Sequence, residues 1–291
     1  MSAVDTSRAA RAAGRGEWPT RLLSGIALAI VAVAAVWYPK AMAALLAVLC
    51  LFAAREWHRM VRTIPTPQSL AHWQTIVTAA AVALGIVAVL YHLVWAGFAV
   101  LVAGAAAAFL VARAREDNAA WHALGVLYIG VPALSLMSLR LFSPVNGALL
   151  VIGLFLIIWS TDTGALLVGR LVGGPKLAPT ISPGKTWSGT LGGSIIAAMV
   201  YGLYIAVLDH NVPLAMLFAL VFSATAHLGD LLESSFKRRF GTKDTGGLIP
   251  GHGGALDRLD STFAAVPVMA ALVFGLPLLG ISFNPLFGGY L

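Results

Sequence analysis

Nine apolar segments follow one another along this chain, and they constrain its fold more than any other feature. Most of them approach the roughly 20 residues that a membrane-spanning helix needs. Hydrophobic residues make up 59% of the sequence and charged residues only 11%. A soluble domain carries about 25% charged residues, so a soluble enzyme is excluded, as are a disordered protein and a coiled coil. We predict an all-α polytopic integral membrane protein with about nine transmembrane helices and cytoplasmic catalytic loops. The predicted spans are 22–38, 41–54, 76–95, 96–112, 120–139, 147–168, 190–208, 212–229 and 262–281.

The chain divides into a polar cytoplasmic segment, residues 1–20, and one transmembrane catalytic domain, residues 21–291. Residues 147–282 carry all the motifs discussed below. The second span, 41–54, is short, which predicts a tilted or partly inserted helix. Almost no polar break separates the third and fourth spans, and we place their turn near residues 95–97.

Basic residues fix the predicted orientation of the spans. With the N-terminus in the cytoplasm, 17 of the 19 Lys and Arg residues fall on the cytoplasmic side, and only Lys40 and Arg140 do not. Cytoplasmic loops carry the excess of basic residues in membrane proteins. We therefore predict a multi-pass protein of the cell inner membrane with its C-terminus outside. The net charge of +7 is explained by this topology, so it does not indicate a nucleic-acid partner.

Polar residues at helical spacing mark the end of the eighth span. His227, Asp230, Glu233, Ser234 and Lys237 recur every three or four residues, which places them on one helix face. Glu233 and Lys237 are spaced for a simple ion pair within the helix. Asp230 has no such partner, and an acidic group in a span is by default functional, so a metal ligand is favoured there. Arg239 lies off this stripe, where we expect contact with lipid headgroups.

A glycine-rich segment and two acidic residues precede the last span. Residues 243–254 contain five glycines, which allow sharp turns and close approach to a ligand. The alternative is a flexible surface loop. Asp257 and Asp260 then open the last helix, where one acidic residue would suffice to cap it. Two acidic residues beside Arg258 favour a hard cation, because Mg²⁺ prefers one or two carboxylates together with substrate phosphate.

A third polar region follows the sixth span. Asp162 is an acidic residue in an apolar setting, and the Pro-containing loop after it supplies Ser182 and Lys185 for binding phosphate. The alternative is a plain polar connection between spans. Trp and Tyr near span ends are expected to anchor the helices at the membrane interface. The single cysteine excludes an intrachain disulfide. No role is assigned to five scattered histidines, which are His58, His72, His92, His122 and His210.

The stretch 234–260 resembles the signature of the phosphatidate cytidylyltransferases, also called CDP-diacylglycerol synthases. It reads Ser-x-Phe-Lys-Arg, four residues, Lys-Asp-x-Gly, two residues, Ile-Pro-x-His-Gly-Gly, two residues, Asp-Arg-x-Asp. Every fixed position of the pattern is met. Residues 162–165 and 181–189 also look like that family, although Gly184 stands where many members have Lys. The resemblance covers about the C-terminal half of the chain.

This resemblance implies the transfer of a cytidylyl group from CTP to phosphatidate, giving CDP-diacylglycerol and pyrophosphate, with Mg²⁺ and with room for a second, monovalent cation. CTP, phosphatidate and the lipid bilayer are the implied partners, and a homodimer is compatible with them. The expected metal ligands are Asp230, Asp257 and Asp260, with Glu233 and Asp162 as further candidates. The catalytic set is Asp230, Lys237, Asp257 and Asp260. Substrate binding falls to Ser182, Lys185, Arg238, Lys243, Gly253, Gly254 and Arg258, whereas Asp244 and His252 match the motif without a defined role.

Two other functions remain open at this stage. A CTP-dependent kinase or cytidylyltransferase acting on another lipid would share the nucleotide, although the complete signature disfavours the kinases. An ion-coupled transporter would place charges deep in several spans and show internal repeats. Here the charges gather toward one side, and the sequence has no evident repeat.

Overall fold

The fold is a bundle of long apolar helices, seen in a computed structural model that describes residue 25 and residues 27–63, 72–246 and 254–279. Eight helices in these ranges are long and apolar enough to cross a membrane, which confirms the prediction of an all-α polytopic membrane protein. Residues 1–20, the start of the first predicted span and the end of the last lie outside the described residues. The division into domains stays a prediction. The helices are α1 (Ala27–Trp37), α2 (Pro39–Val61), α3 (Trp73–Leu90), α4 (Val94–Arg113), α5 (Ala119–Leu141), α6 (Asn146–Val172), α7 (Trp187–Val207), α8 (Val212–Arg239) and α9 (Leu256–Gly275), the last followed by a 3-10 turn, Leu276–Leu279.

Helix α2 corrects the prediction of a short second span. It runs for 23 residues from Pro39 to Val61, well beyond the end of the apolar run at residue 54. Polar residues continue the helix because their side chains are buried against other elements: Glu56, Trp57 and His58 are all at most 7% exposed. The end of the apolar run at residue 54 predicted the end of the helix, but the helix continues with polar side chains that face the interior of the bundle.

The turn between α3 and α4 lies at residues 91–93, a few residues before the predicted position. His92 makes it by adopting a left-handed backbone conformation with φ of 61°. Hydropathy falls only over Tyr91 and His92, because Leu93 and Val94 are again apolar, so the apolar pattern alone did not locate the turn.

A small antiparallel hairpin occupies the region predicted as a polar loop. Strands β1 (Lys176–Ala178) and β2 (Ser182–Thr186) pair so that Lys176 faces Thr186 and Ala178 faces Ser182. Thr186 then caps α7, because its Oγ1 accepts a hydrogen bond of 3.1 Å from the backbone N–H of Gly189. The hairpin is therefore fixed directly to the start of a membrane-spanning helix.

Helices α6 and α7 approach each other closely. A Cβ atom at Gly193 would lie 2.6 Å from the carbonyl oxygen of Thr161, so only glycine fits there. The Thr161 hydroxyl donates to Ser223 Oγ at 2.9 Å, and Ser194 Oγ lies 2.8 Å from the same oxygen. Small residues and buried hydroxyl groups are typical of helix contacts in membranes. These contacts hold α6, α7 and α8 together next to Asp162, which follows Thr161 on α6.

An aromatic cluster joins the two halves of the chain. Trp57 of α2 is completely buried and donates from Nε1 to the carbonyl oxygen of Trp121 at 2.9 Å. Phe236 of α8 packs edge-on against Trp57, Trp121 and Tyr128, and Phe263 of α9 packs edge-on against Tyr128. The expectation that Trp residues near span ends anchor at the membrane interface is therefore wrong for Trp57.

Several helix ends meet on one side of the bundle. Thr63, just after α2, donates to Asp117, just before α5, and Arg239 at the end of α8 lies over the Trp121 ring. Arg238 donates to the hairpin at Ile181. These are the segments that the distribution of basic residues assigns to the cytoplasm, and their orientation in the membrane stays a prediction.

On the opposite side, Arg140 has a structural partner. It is only 4% exposed and donates from Nε to the carbonyl oxygen of Val36 and from Nη2 to that of Trp37, the latter at 3.1 Å. These carbonyl groups end α1 ahead of Pro39, where no intrahelical donor is available. Arg140 thus satisfies a helix end, which explains a basic residue on the side with few others.

Candidate active site

A cavity of about 750 Å³ lies between the ends of α6, α7, α8 and α9 and the hairpin. The segments that form it are those with the polar motifs of the C-terminal half. Its lining carries both basic and acidic side chains. The charged and hydroxyl-bearing residues of the lining are Asp162, Arg170, Lys176, Ser182, Lys185, Thr186, Thr190, His227, Asp230, Asp257, Arg258, Asp260 and Ser261.

Four predicted acidic residues line this cavity from three helices. Asp162 comes from α6, Asp230 from α8, and Asp257 and Asp260 from α9. In the ranges that the structure describes, no three Asp, Glu, His or Cys side chains are grouped closely enough to form a ready-made metal site. Mg²⁺ needs only one or two carboxylates when water and substrate phosphate complete its shell. The donor set therefore fits Mg²⁺ bound together with a phosphorylated substrate.

Lys185 and Asp230 form an ion pair across the cavity wall. The Lys185 Nζ lies 2.5 Å from Asp230 Oδ2, and side-chain exposures are 19% and 28%. The contact brings the two charges together without good hydrogen-bond geometry at Nζ. Ser234 donates to the other carboxylate oxygen at 3.3 Å. The ion pair positions the ammonium group of the hairpin beside the acidic residues of α8 and α9.

Lys237 connects α8 to α9 and is not among the cavity-lining residues. Its Nζ donates to Glu233 Oε2 at 3.1 Å and to Asp257 Oδ1 at 2.8 Å. The Glu233 side chain is completely buried, and its Oε1 has no hydrogen-bond donor among the described residues. The simple pair between Glu233 and Lys237 considered from the sequence is present, extended by Asp257. The catalytic role of Lys237 and the metal role of Glu233 stay predictions.

Asp257 lies in the first turn of α9 and uses its second oxygen to bind backbone that precedes the helix. Asp257 Oδ2 accepts from the backbone N–H of Gly254 at 2.9 Å and from that of Thr245 at 3.3 Å. Asp257 therefore stands in the first turn of α9, as the capping alternative requires, but both donors precede the helix and its N-cap residue, Ala255, has no side-chain cap hydrogen bond. Its role as a metal ligand stays a prediction. Both of its oxygens already accept hydrogen bonds, so a metal ion would have to compete with these donors.

Other predicted substrate-binding residues differ in position. Ser182, Lys185 and Arg258 line the cavity, and their role in binding phosphate stays a prediction. Arg238 instead donates to the carbonyl oxygens of Ile181 at 3.1 Å and Thr242 at 3.5 Å, so it holds the hairpin turn. Lys243 and Asp244 are exposed and do not line the cavity, and Gly254 is buried. His252 and Gly253 lie outside the described residues.

Three basic side chains of the cavity lining were assigned no role from the sequence. Arg170 lies eight residues after Asp162, hence on the same face of α6, so helical spacing could have identified it. Lys176 opens β1, and no pattern in the sequence predicted that strand. His227 belonged to the polar stripe, but no role was assigned to it.

The histidines His58 and His122 are not scattered, contrary to the interpretation from the sequence. Their Nδ1 atoms lie 2.8 Å apart in the buried interior, and His58 Nε2 lies 2.7 Å from Thr78 Oγ1. His122 Nε2 contacts Asp117 Oδ2 at 3.1 Å. Burial tends to raise the pKa of Asp117, but hydrogen bonds from Thr63, Asn118 and His122 outweigh it, so the pKa of this carboxyl is lowered. The chain of contacts links α2, α3 and α5.

The fold and the cavity together define a polytopic membrane protein with a charged cavity at one end of its bundle. Comparison with known proteins then gives the family: residues 19–276 match the cytidylyltransferase family, and the chain belongs to it.

Named relatives agree with this assignment. A phosphatidate cytidylyltransferase of Brucella suis biovar 1 is 45% identical over 174 residues, which cover 58% of this chain and 62% of the relative. A phosphatidate cytidylyltransferase of Staphylococcus saprophyticus is 40% identical over 158 residues, covering 54% and 59% respectively. The matched part thus spans about three-fifths of the length of these relatives.

Proposed function

We propose that this protein transfers a cytidylyl group from CTP to phosphatidate, giving CDP-diacylglycerol and pyrophosphate. One observation supports this most strongly: one cavity brings Arg258 and Asp260 of the family signature together with Lys185 of the hairpin and Asp230 of α8. Positively charged groups are needed to bind a triphosphate and a lipid phosphate together. Carboxylates in the same cavity supply the ligands that Mg²⁺ prefers. The relatives carry the name of this activity.

The chemistry requires the positioning of two anions more than proton transfer. An oxygen of the phosphatidate phosphate attacks the α-phosphorus of CTP, and the bond from that phosphorus to the bridging oxygen of the β-phosphate breaks. Pyrophosphate leaves with the bond electrons. The attacking oxygen is already ionised, so no general base is needed. Alignment and charge neutralisation then supply most of the rate acceleration.

Seven charged groups of the cavity have a defined place in this scheme. Lys185, Arg258, Arg170 and Lys176 would hold phosphate oxygens, since they all line the cavity. Asp230 and Asp260, with Asp162 beside them, would hold Mg²⁺. When bound, the ion would neutralise charge on the triphosphate. A monovalent cation beside the Mg²⁺ ion and a homodimer also remain predictions.

An apolar cavity suggests where the lipid lies. A second space of about 130 Å³ between α1, α2, α5, α6 and α9 is lined mostly by apolar side chains, among them Leu46, Phe155 and Trp159. Arg258 lines both this cavity and the charged one. We propose that Arg258 holds the phosphatidate phosphate while the first carbons of an acyl chain enter the apolar cavity.

The membrane arrangement completes the proposal. The N-terminus would lie in the cytoplasm of a cell with an inner membrane, and the C-terminus outside. The charged cavity would then open to cytosolic CTP, since the helix ends that form it carry most of the basic residues.

The acceptor is tested by an assay with the purified full-length protein in detergent. We expect CDP-diacylglycerol from CTP and phosphatidate, and no product with a polyprenol or with diacylglycerol as acceptor. In an Ala133→Phe variant, which fills the apolar cavity, the KM for long-chain phosphatidate should rise while the KM for CTP stays constant. Leu203→Phe, on an exposed helix face, is the matched control. Product from a polyprenol alone would contradict the proposal.

A further inference from the structure

A carboxylate from the N-terminal half of the chain reaches the base of the glycine-rich segment. Glu56 of α2 is 7% exposed. Its Oε1 accepts from the backbone N–H of Ala255 at 3.0 Å, and its Oε2 accepts from that of Leu256 at 2.9 Å. Oε2 also accepts from the Thr245 hydroxyl at 3.2 Å. One side chain thus binds residues on both sides of the segment 247–253.

Two glycines of the family signature make room for this carboxylate. A Cβ atom at Gly246 would lie 2.4 Å from Glu56 Oε1, and one at Gly254 would lie 2.5 Å from Glu56 Oε2. Real Cβ atoms essentially never approach another atom so closely. The two ends of the segment 247–253 are therefore both in contact with Glu56, and glycine is required at each for close packing.

The first turn of α9 is held between two carboxylates. Glu56 accepts from Ala255 and Leu256, while Asp257 accepts from Gly254 and Thr245. Backbone N–H groups at a helix start have no intrahelical acceptor, and a negative charge there is favourable. Arg258 and Asp260 follow in the same turn and line the cavity. Their position consequently depends on the acceptors that fix this helix start.

We infer that Glu56 is a positioning residue for the reaction of the charged cavity. It fixes the start of α9, and with it Arg258 and Asp260, at the place where substrate phosphates bind. Glu56 does not line the cavity itself, so it acts through the Thr245 hydroxyl and the backbone of Ala255 and Leu256. This inference rests on the proposed function only for its effect on turnover. The contacts themselves can be tested without substrate.

Hydrogen exchange of the full-length protein in detergent tests the contacts. In Glu56→Ala, the amides of Ala255 and Leu256 lose their acceptor, so peptides covering residues 254–258 should exchange at least about tenfold faster, the ratio that 1.4 kcal/mol gives. Glu56→Gln keeps one acceptor oxygen and should lie between wild type and Glu56→Ala. Glu116→Ala removes an exposed acidic residue and should leave this exchange unchanged. Equal exchange in Glu56→Ala and wild type would overturn the inference.

Kinetics distinguish positioning from a general loss of stability. We expect Glu56→Ala to lower kcat about 100-fold, as a small misplacement of binding groups does, with partial rescue in Glu56→Gln. Hydrogen exchange in peptides from α3 and α4 should be the same in Glu56→Ala and in wild type. An unchanged kcat, or a kcat that falls only in proportion to unfolded protein, would overturn the inference. If wild type shows the exchange pattern but transfers no cytidylyl group, the proposed function fails while the Glu56 contacts stand.

A compensating pair gives a second, independent readout. Gly246→Ala should lower kcat because its methyl group meets the Glu56 carboxylate, which three hydrogen bonds hold in place. Glu56→Asp withdraws that carboxylate by one methylene group. The double variant Gly246→Ala/Glu56→Asp should therefore be more active than Gly246→Ala alone. Losses that simply multiply would contradict the inference.

Discussion

The Nζ of Lys237 lies 2.8 Å from Asp257 Oδ1, which joins the last turn of α8 to the first turn of α9. The same ammonium group lies 3.1 Å from Oε2 of Glu233, whose side chain is completely buried. One positive charge therefore serves two carboxylates. Removing one partner from a buried ion pair leaves an uncompensated charge, which is far costlier than replacing the whole pair.

Lys237→Met should destabilise the protein by about 3–5 kcal/mol, the usual cost of breaking a buried ion pair. Thermal unfolding in detergent, followed by the loss of helical circular dichroism, measures this. The double variant Lys237→Met/Glu233→Gln should recover part of the loss because the uncompensated carboxylate is gone. A double variant less stable than Lys237→Met would show that the ion pair does not dominate at this position.

Asp257 and Asp260 should respond differently to the loss of charge. Asp260→Asn should lower turnover more than about tenfold, a loss above roughly 1.4 kcal/mol, while the protein stays folded. Asp257→Asn should lower both turnover and stability, since its carboxylate accepts from Lys237, Gly254 and Thr245. Turnover and melting temperature are measured on the same preparations. An Asp257→Asn protein with more than a tenth of wild-type turnover would indicate that capping is its main role.

Substitutions on the polar face of α8 should lower activity, whereas substitutions on the opposite face should not. Asp230→Ala should abolish CTP turnover because it removes a cavity carboxylate and the partner of Lys185. Leu232→Ala should have little effect, since Leu232 is 46% exposed and lies about 200° around the helix from Asp230. Assays under identical lipid and CTP concentrations compare the two. Equal losses in both variants would mean that this helix end acts only through packing.

Arg239 provides a further control on the same helix. Its guanidinium lies 5.3 Å from the centre of the Trp121 ring, whereas headgroup contact was expected from the sequence. An exposed cation over an aromatic ring contributes only about 0.5–1 kcal/mol. Arg239→Ala should therefore keep most of the turnover that Asp230→Ala loses. A loss equal to that of Asp230→Ala would contradict the division of the helix into a cavity face and an outer face.

Membrane orientation is tested by single cysteines in a protein whose buried Cys50 is replaced by alanine. Asp209→Cys, between α7 and α8, should react with an impermeant thiol reagent added to intact cells, because we predict this turn to be outside. Thr242→Cys, after α8, should react only after the cells are opened. The reverse pattern would place the charged cavity on the side away from cytosolic CTP and overturn the proposed orientation.

Local patterns predicted the helices and the polar face of α8 because both depend on residues a few positions apart. Helical spacing placed Asp230 and Ser234 together, and the structure shows the hydrogen bond between them. The motif at residues 257–260 likewise predicted that acidic residues open the last helix, which begins at Leu256. The same reasoning, applied to α6, would have added Arg170 to the cavity.

Contacts between distant segments could not be predicted in this way. Glu56 and Leu256 are 200 residues apart, and nothing in the neighbourhood of Glu56 indicates its partners. His58 and His122 are likewise far apart in the sequence, and the packing of α2 against α5 brings them together. The hairpin was missed because Pro179 and Pro183 disfavour strands, although a two-stranded sheet has only edges, where proline is tolerated.

Transfer of label from CTP is the most direct measurement of the proposed activity. The purified protein is incubated with phosphatidate and Mg²⁺, once with CTP labelled at the α-phosphate and once with CTP labelled at the γ-phosphate. Cytidylyl transfer predicts that the α-label enters the lipid fraction and that the γ-label leaves as pyrophosphate, with both processes lost in Asp260→Asn. If the γ-label enters the lipid and CDP is released, the protein is a kinase, and the proposed reaction is contradicted.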